Sequence, residues 1–303
     1  MSEAPSTAPV CYRHPSRETY IRCTRCDRPI CPDCMNEASV GHQCPECVAE
    51  GKRTQRQART AFGGSIAGRA GYVTRGLIAV NVLVMILSAI VGGSRAIAGA
   101  GGWFGLMGSE TEVTRWASVL GYASYVTGGE PHGIAAGEWW RLFTAMFVHY
   151  GALHLLLNMM LLWQLGRYLE EKLGPLRFAA LYLLAGIGGN VAAYIFSAPN
   201  APAAGASTSV FGLVLAMIVV NRRLRLDITQ LIPLLVVNLI FTFSIDNISV
   251  AGHLGGLVIG GVVAWVLAYA PLKRRTQIQA VGCAAVLAVL LIATVMRTAA
   301  LLG

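Results

Sequence analysis

Charge is scarce in this sequence. Asp, Glu, Lys and Arg make up 13% of it, about half the ~25% of a soluble domain. Apolar residues make up 55% and the mean hydropathy is +0.57. A wholly soluble globular protein is excluded, and a membrane protein is indicated. Lysine is nearly missing, with only Lys52, Lys172 and Lys273 among 24 basic residues. That bias, with abundant Ala and Gly, reflects a GC-rich genome rather than function. Acidic residues number 15, which leaves a net charge of +9. In a membrane protein such an excess holds loops in the cytoplasm, so no nucleic-acid partner is expected. Cysteine is absent between Cys47 and Cys283, and Cys283 lies alone in an apolar run as a small core residue. The first 50 residues lack the apolar core of a cleavable signal peptide. They are polar, basic and cysteine-rich, so they are expected in the reducing cytosol, where paired thiols favour metal over disulfides.

Those thiols form four pairs: Cys11-x2-His14, Cys23-x2-Cys26, Cys31-x2-Cys34 and Cys44-x2-Cys47. Each pair brings two ligands to one side of a tight turn, and two pairs complete a closed tetrahedral Zn²⁺ site. Eight ligands fill two sites, with His42 spare or in place of Cys44. Over residues 9–48 the spacing resembles a B-box-type zinc finger, and that resemblance implies interleaved pairing, first with third and second with fourth. Metal here replaces a core too small to fold alone. A catalytic zinc needs an open coordination position, and nothing in the segment suggests one. Residues 1–50 are thus expected to be a binding or regulatory module with a cytosolic protein partner. Residues 51–75 follow with six basic and no acidic residues, a linker expected to lie against the anionic lipid of the bilayer.

Seven apolar runs follow, at about 76–93, 142–163, 176–196, 207–220, 231–245, 250–270 and 277–297. A span needs about 20 residues, so the fourth and fifth are short. Basic residues precede the first run and follow the second (Arg167, Lys172, Arg177), the fourth (Arg222, Arg223, Arg225) and the sixth (Lys273, Arg274, Arg275). Opposite them lie Glu110, Glu112, Glu130 and Glu138, an uncharged loop at 197–206, and Asp246. The alternation implies a multi-pass protein of a bacterial plasma membrane, N-terminus in the cytoplasm and C-terminus outside.

The fourth run opens as GASTSVFGLVLA (Gly205–Ala216), with three hydroxyls at the mouth of an apolar helix. From Ser207 to Arg222 it covers about 22 Å, short of a ~30 Å hydrocarbon layer. The preceding Pro-rich stretch cannot be regular helix, and irregular backbone at membrane depth must be buried in protein or line water. The hydroxyls are therefore expected at the floor of a wet cavity open to the outside. Ionisable residues at that depth are functional candidates. His154 and Asn158 are four apart and share a helix face, with His154 about 19 Å above the inner boundary. His149 is nearer the surface, on another face. His253 lies about 27 Å above Pro271, higher than Ser207, so its helix must tilt or overrun. Gly256 and Gly260 form a small-xxx-small pair that lets a backbone approach, and Gly212 suits the contact. That approach brings His253 to Ser207.

A serine hydroxyl needs a base, and a neutral imidazole suits that task. His253 is the candidate base. His154, the Asn158 amide and the Ser207 N–H are candidate donors to an oxyanion, aided by the positive end of the helix. No Asp or Glu faces this depth, so Phe211, one turn after Ser207, is left to stack on the imidazole and orient it. Singly, each residue has a plainer use. A membrane Ser bonds its own helix, a His packs or carries protons, Trp139 and Trp140 fit an interfacial belt, and His132 is a solvated loop residue. The set His154, Asn158, Ser207 and His253 goes beyond those uses.

On EWWRLFTAMFVHYGALHLLLNMMLLWQLGRYLEEKLG (138–174), GASTSVFGL (205–213) and AGHLGGLVIG (251–260), the sequence resembles a rhomboid intramembrane serine protease. The resemblance implies an all-α, six-helix core at 76–270, with a seventh transmembrane helix and C-terminus at 271–303. It implies Ser207 as nucleophile, His253 as base, and His154 and Asn158 at the oxyanion. Trp140–Arg141 match a first-loop pair, and Glu170 and Gly174 match structural positions. Two departures stand out: Thr208–Ser209 follow the nucleophile where Gly and a small residue are usual, and Gly252 precedes His253 where Ala is usual. Thr208 could crowd the oxyanion site or stiffen the helix start. Ser209 is the other possible nucleophile, but the GASxxxFGL frame selects Ser207. The expected activity is hydrolysis of a peptide bond in or near the transmembrane segment of a membrane-protein substrate, with no cofactor for catalysis. The first loop and the short fifth span are the expected gating elements. The rival is an inactive rhomboid-like protein that binds membrane clients, its zinc module serving as adaptor. A proton-coupled transporter fits the topology, but the sequence shows neither inverted repeats nor an acidic relay.

Overall fold

A computed structural model describes residues 8–55, 58–98, 108–124, 129–245 and 248–303. Asp246, one of the charges used to assign topology, lies outside them. The chain forms two compact units, Met1–Ala58 and Arg59–Gly303.

The first unit has little to bury. Its core is Ile30 and six buried cysteines, with Cys26, Tyr12 and Met35 at the edge. Strands β1 (Asn36–Glu37) and β2 (His42–Gln43) pair antiparallel. Helix α1 (Pro45–Thr54) starts at Cys44, whose Sγ accepts the Cys47 N–H.

The second unit contains α2 (Tyr72–Gly92), α3 (Glu112–Ala117), α4 (Arg141–Thr144), α5 (Ala152–Leu161), α6 (Arg167–Leu173), α7 (Pro175–Phe196), α8 (Ser207–Leu224), α9 (Leu231–Ser244), α10 (Val250–Tyr269) and α11 (Arg275–Leu302). Among the described residues, five helices are long and apolar enough to cross a membrane: α2, α7, α8, α10 and α11. The second apolar run is not one straight span. Arg141–Phe147 and Ala152–Leu173 meet at 91°, as a broken span or a re-entrant loop does, and taken as one span the pair makes a sixth. Gly151, at φ +95°, stands at the corner. A π turn over Leu162–Gly166 then carries α5 into α6. The fifth run is α9, too short to span by itself.

Burial sorts the helices. α7 and α8 are 67% and 61% buried within their apolar windows, against 17% for α2 and for the C-terminal Leu272–Leu302 segment. The centre of this unit is therefore α7 and α8, with α10, 44% buried in its apolar window, packed against both. Glycine lets α8 and α10 touch backbone to backbone. A β-carbon on Gly256 would stand 2.0 Å from the Thr208 carbonyl oxygen, and one on Gly260 would stand 2.3 Å from Gly212 Cα. The contact expected from the glycine spacing is present. Ser207 and His253 lie about 26 Å and about 24 Å from the ends of their helices at Leu224 and Tyr269.

Part of the segment read as a linker is folded: the boundary between the units falls after Ala58, and residues 59–71 pack on the helical unit. Phe62 is buried in the main core. The Phe62 and Ala61 carbonyls accept from Gln279 and Arg275. Gly64 and Gly68 sit so close to the Leu173 and Glu170 carbonyls that a β-carbon would overlap them. Glu170, fully buried, accepts the Val73 and Thr74 N–H groups and the Thr74 hydroxyl, which places a carboxylate on the positive end of α2.

Candidate active site

Ser207 is the first residue of α8, so its N–H has no partner within the helix. The strand of chain before it is irregular, as its prolines require. It is tied to the first loop by paired bonds between Val119 and Ala203 and by Gly121 and Tyr122 N–H groups on the Pro199 carbonyl. Gly205, at φ +136°, donates its N–H to the Ala145 carbonyl. A side chain there would be strained, and its β-carbon would stand 2.8 Å from His154 Nε2 and 3.2 Å from Ser207 Oγ. The glycine thus lets His154 and Ser207 converge on one small space.

His253 enters from the first turn of α10. Its Nε2 lies 2.8 Å from Ser207 Oγ. Phe211 stacks on the imidazole with ring centroids 4.2 Å apart and planes at 21°, as its spacing from Ser207 suggested. His149 is buried, accepts the Ala206 N–H at Nε2, and meets His154 edge-on at 4.9 Å. It therefore braces both the chain before Ser207 and the His154 ring. Asn158 is buried and donates one amide hydrogen to the His154 carbonyl at 2.9 Å, leaving a second for other use. One group at the site escaped the sequence reading. Thr242 of α9 places its hydroxyl 2.8 Å from His253 Nδ1. A threonine in a short apolar helix ordinarily bonds only its own backbone, and nothing in the spacing singles it out.

Around the site, Arg141 is buried and organises the first loop. It binds Glu138 at 2.6 Å, the Ser118 carbonyl at 2.9 Å and the Arg115 carbonyl. Trp140 stacks on Trp116 at 5.4 Å. His132 meets Glu138 at 3.1 Å rather than standing free in solvent. Burial opposes ionisation of Glu138, but the Arg141 guanidinium, His132 and the Gly133 N–H hold its carboxyl below the usual range. A recess of about 310 Å³ lies between the first loop and the segment with Asn200 and Pro202. Ser207 does not line it, so it is not the cavity expected above the hydroxyls.

The N-terminal ligands gather as two sets, Cys11/His14/Cys31/Cys34 and Cys23/Cys26/Cys44/Cys47, each with donor atoms within 4.8 Å of one another. Pairing is interleaved, as the resemblance implied, and His42 belongs to neither set. The donors fit a thiophilic divalent cation. Burial disfavours the Cys11 and Cys23 thiolates, but neighbouring backbone N–H groups outweigh it and bring both down to about 6. Burial and the adjoining thiols push Cys47 up to about 12. A bound cation would supply the charge that lets the thiols of each set ionise together.

Residues 136–270 match the Rhomboid domain family. The rhomboid protease GluP of Bacillus subtilis is 43% identical over 136 residues, 43% of this chain and 26% of GluP. YdcA of the same strain, likewise named for the rhomboid family, is 35% identical over 148 residues, 47% of this chain and 74% of YdcA. The chain belongs to the rhomboid family. It is a membrane protein with several apolar helices, and its α11 and both metal-ligand sets lie outside the matched region. The match spans about a quarter of GluP's length. The family also includes the inactive RHOMBOID-like protein 8 of Arabidopsis thaliana, 32% identical over 46% of this chain and 41% of that protein.

In this rhomboid the two departures near Ser207 face each other. Thr208 turns its side chain toward α7 and α10, where a β-carbon on Gly189 would stand 2.6 Å from Thr208 Cβ, and one on Gly252 would stand 3.3 Å from its methyl. The larger residue on α8 is therefore housed by glycines. Its hydroxyl is buried with no hydrogen-bond partner among the described residues. Ser209 is fully buried against Gly186 of α7, while it is Ser207 that meets His253 Nε2.

Proposed function

We propose that this rhomboid is an intramembrane serine endopeptidase that cuts the transmembrane segments of membrane proteins. The observation that carries the reading is the 2.8 Å approach of His253 Nε2 to Ser207 Oγ, within general-base reach. His253 takes the hydroxyl proton at Nε2 as Oγ bonds to the substrate carbonyl carbon. The oxyanion that forms is met by His154, the second Asn158 amide hydrogen and the Ser207 N–H at the start of α8. Return of the proton to the departing amine leaves an acyl-enzyme on Ser207, which water then hydrolyses with His253 again as base. A helical substrate hides its carbonyls in i→i−4 bonds, so good substrates carry Gly, Pro or polar residues that unwind locally and a small residue before the cut. The first loop and α9 admit them. The N-terminal module holds two structural Zn²⁺ ions and faces a cytosolic partner. The N-terminus is cytoplasmic and the C-terminus outside, in a bacterial plasma membrane.

A fluorophosphonate probe tests the nucleophile. Wild type and Ser209→Ala are expected to label, while Ser207→Ala and His253→Ala fall to background. Labelling that survives in Ser207→Ala would remove it from the role. No labelling of wild type, with no cleavage of any membrane substrate, would favour the client-binding alternative.

A further inference from the structure

Only two residues of α9 are buried, Leu231 at its start and Thr242 near its end. Ile232, Val236, Val237, Ile240, Phe241 and Phe243 are exposed on a face suited to lipid. A threonine as one of the two fully buried residues is costly on packing grounds alone, because a valine of the same shape buries without a polar group. The hydroxyl supplies the reason. Thr242 Oγ1 donates to the Asn238 carbonyl at 2.8 Å and lies 2.8 Å from His253 Nδ1. A hydroxyl has one proton, and a carbonyl can only accept. With that proton on Asn238, the Thr242 oxygen accepts the Nδ1–H of His253. A neutral imidazole carries one N–H, so Nε2 is left bare, and Nε2 is the nitrogen that faces Ser207.

We propose that Thr242 is a positioning residue that fixes the His253 tautomer able to take the Ser207 proton, and that α9, by carrying it, ties its own seating to the readiness of the base. This rests on the Ser207–His253 reading above. When Nε2 takes the serine proton, the imidazolium keeps its Nδ1–H on Thr242, and the Thr242 proton stays on Asn238. Phe211 sets the plane of the ring and Thr242 sets its rotation in that plane. A hydroxyl does this without the desolvation cost of a buried carboxylate, in keeping with the lack of an acidic residue at this depth. Displacement of α9 to admit a substrate withdraws the hydroxyl, and reseating restores it.

The test uses the full chain in liposomes with a cleavable reporter transmembrane helix. Thr242→Val keeps the shape and removes the hydroxyl; Thr242→Ser keeps the hydroxyl. Thr242→Val is expected to lower kcat about 10- to 100-fold, a share of what a general base contributes, with KM within about twofold. Thr242→Ser is expected to recover kcat to within about threefold of wild type. Wild-type kcat in Thr242→Val would overturn the proposal, as would a loss shared equally by Thr242→Ser, whatever the Tm of either variant. Ser207→Ala is run alongside. If it still cleaves, the dyad reading fails and takes Thr242 with it. If it is inactive while Thr242→Val is fully active, the role of Thr242 alone fails.

Discussion

Alanine at Gly256 will abolish cleavage, although the added methyl group lies on a different residue from either member of the dyad. Its β-carbon would stand 2.0 Å from the Thr208 carbonyl oxygen and 2.8 Å from the Thr208 carbonyl carbon. Those are backbone atoms of the turn that carries Ser207, so no rotamer change relieves the overlap. α8 and α10 must part, and His253 sits on α10 one turn before Gly256. The 2.8 Å contact between His253 and Ser207 is the first casualty, and a misplacement of about 1 Å can cost about 100-fold in rate. Overpacking of this kind costs about 1–3 kcal/mol or more in stability, so the Tm falls as well. Gly260→Ala is expected to behave alike, because its β-carbon would meet Gly212 Cα at 2.3 Å. Gly76→Ala is the control: a β-carbon there meets nothing within 4 Å, and activity and Tm should hold or rise slightly. Cleavage assays and thermal unfolding of the three variants decide the matter. Wild-type activity in Gly256→Ala would mean that the two helices do not approach as described.

Removing metal will unfold the N-terminal module. Its interior is Ile30 and a set of cysteines, far too little apolar area for a unit of this size to fold unaided. Structural zinc in such small modules supplies about 10–16 kcal/mol, comparable to the whole stability of a typical domain, about 5–15 kcal/mol. The purified full chain is expected to carry two equivalents of zinc. Cys31→Ser and Cys44→Ser, one from each ligand set, should each reduce that to one. Chelation should expose residues 9–48 to protease, while cleavage of a membrane substrate continues, since the proposed chemistry uses no metal. A metal-free preparation with these thiols joined as disulfides would contradict this part of the account.

Much of this was legible in the residues. Metal-ligand spacing is local, so Cys-x2-Cys pairs announced the two ligand sets. The Gly256/Gly260 repeat with Gly212 announced the α8–α10 contact, and that contact delivered His253 to Ser207. Phe211, one helical turn from Ser207, announced the stacking. What stayed hidden depends on tertiary placement. The 91° corner between Phe147 and Ala152 lies inside an apolar run with no proline to mark it. The docking of residues 59–71 turns on Phe62 finding a pocket and on Gly64 and Gly68 meeting the carbonyls of α6. Basic composition masks both. Thr242 is a single hydroxyl in a short apolar helix, and only the packing of α9 shows that it reaches an imidazole.

The most direct measurement of the central claim is cleavage of a panel of reporter transmembrane helices, with and without a helix-destabilising Gly or Pro, by wild type and Ser207→Ala reconstituted in liposomes. Wild type should cut the destabilised reporters near the membrane surface, and Ser207→Ala should cut none. Equal cleavage by the two proteins would contradict the account.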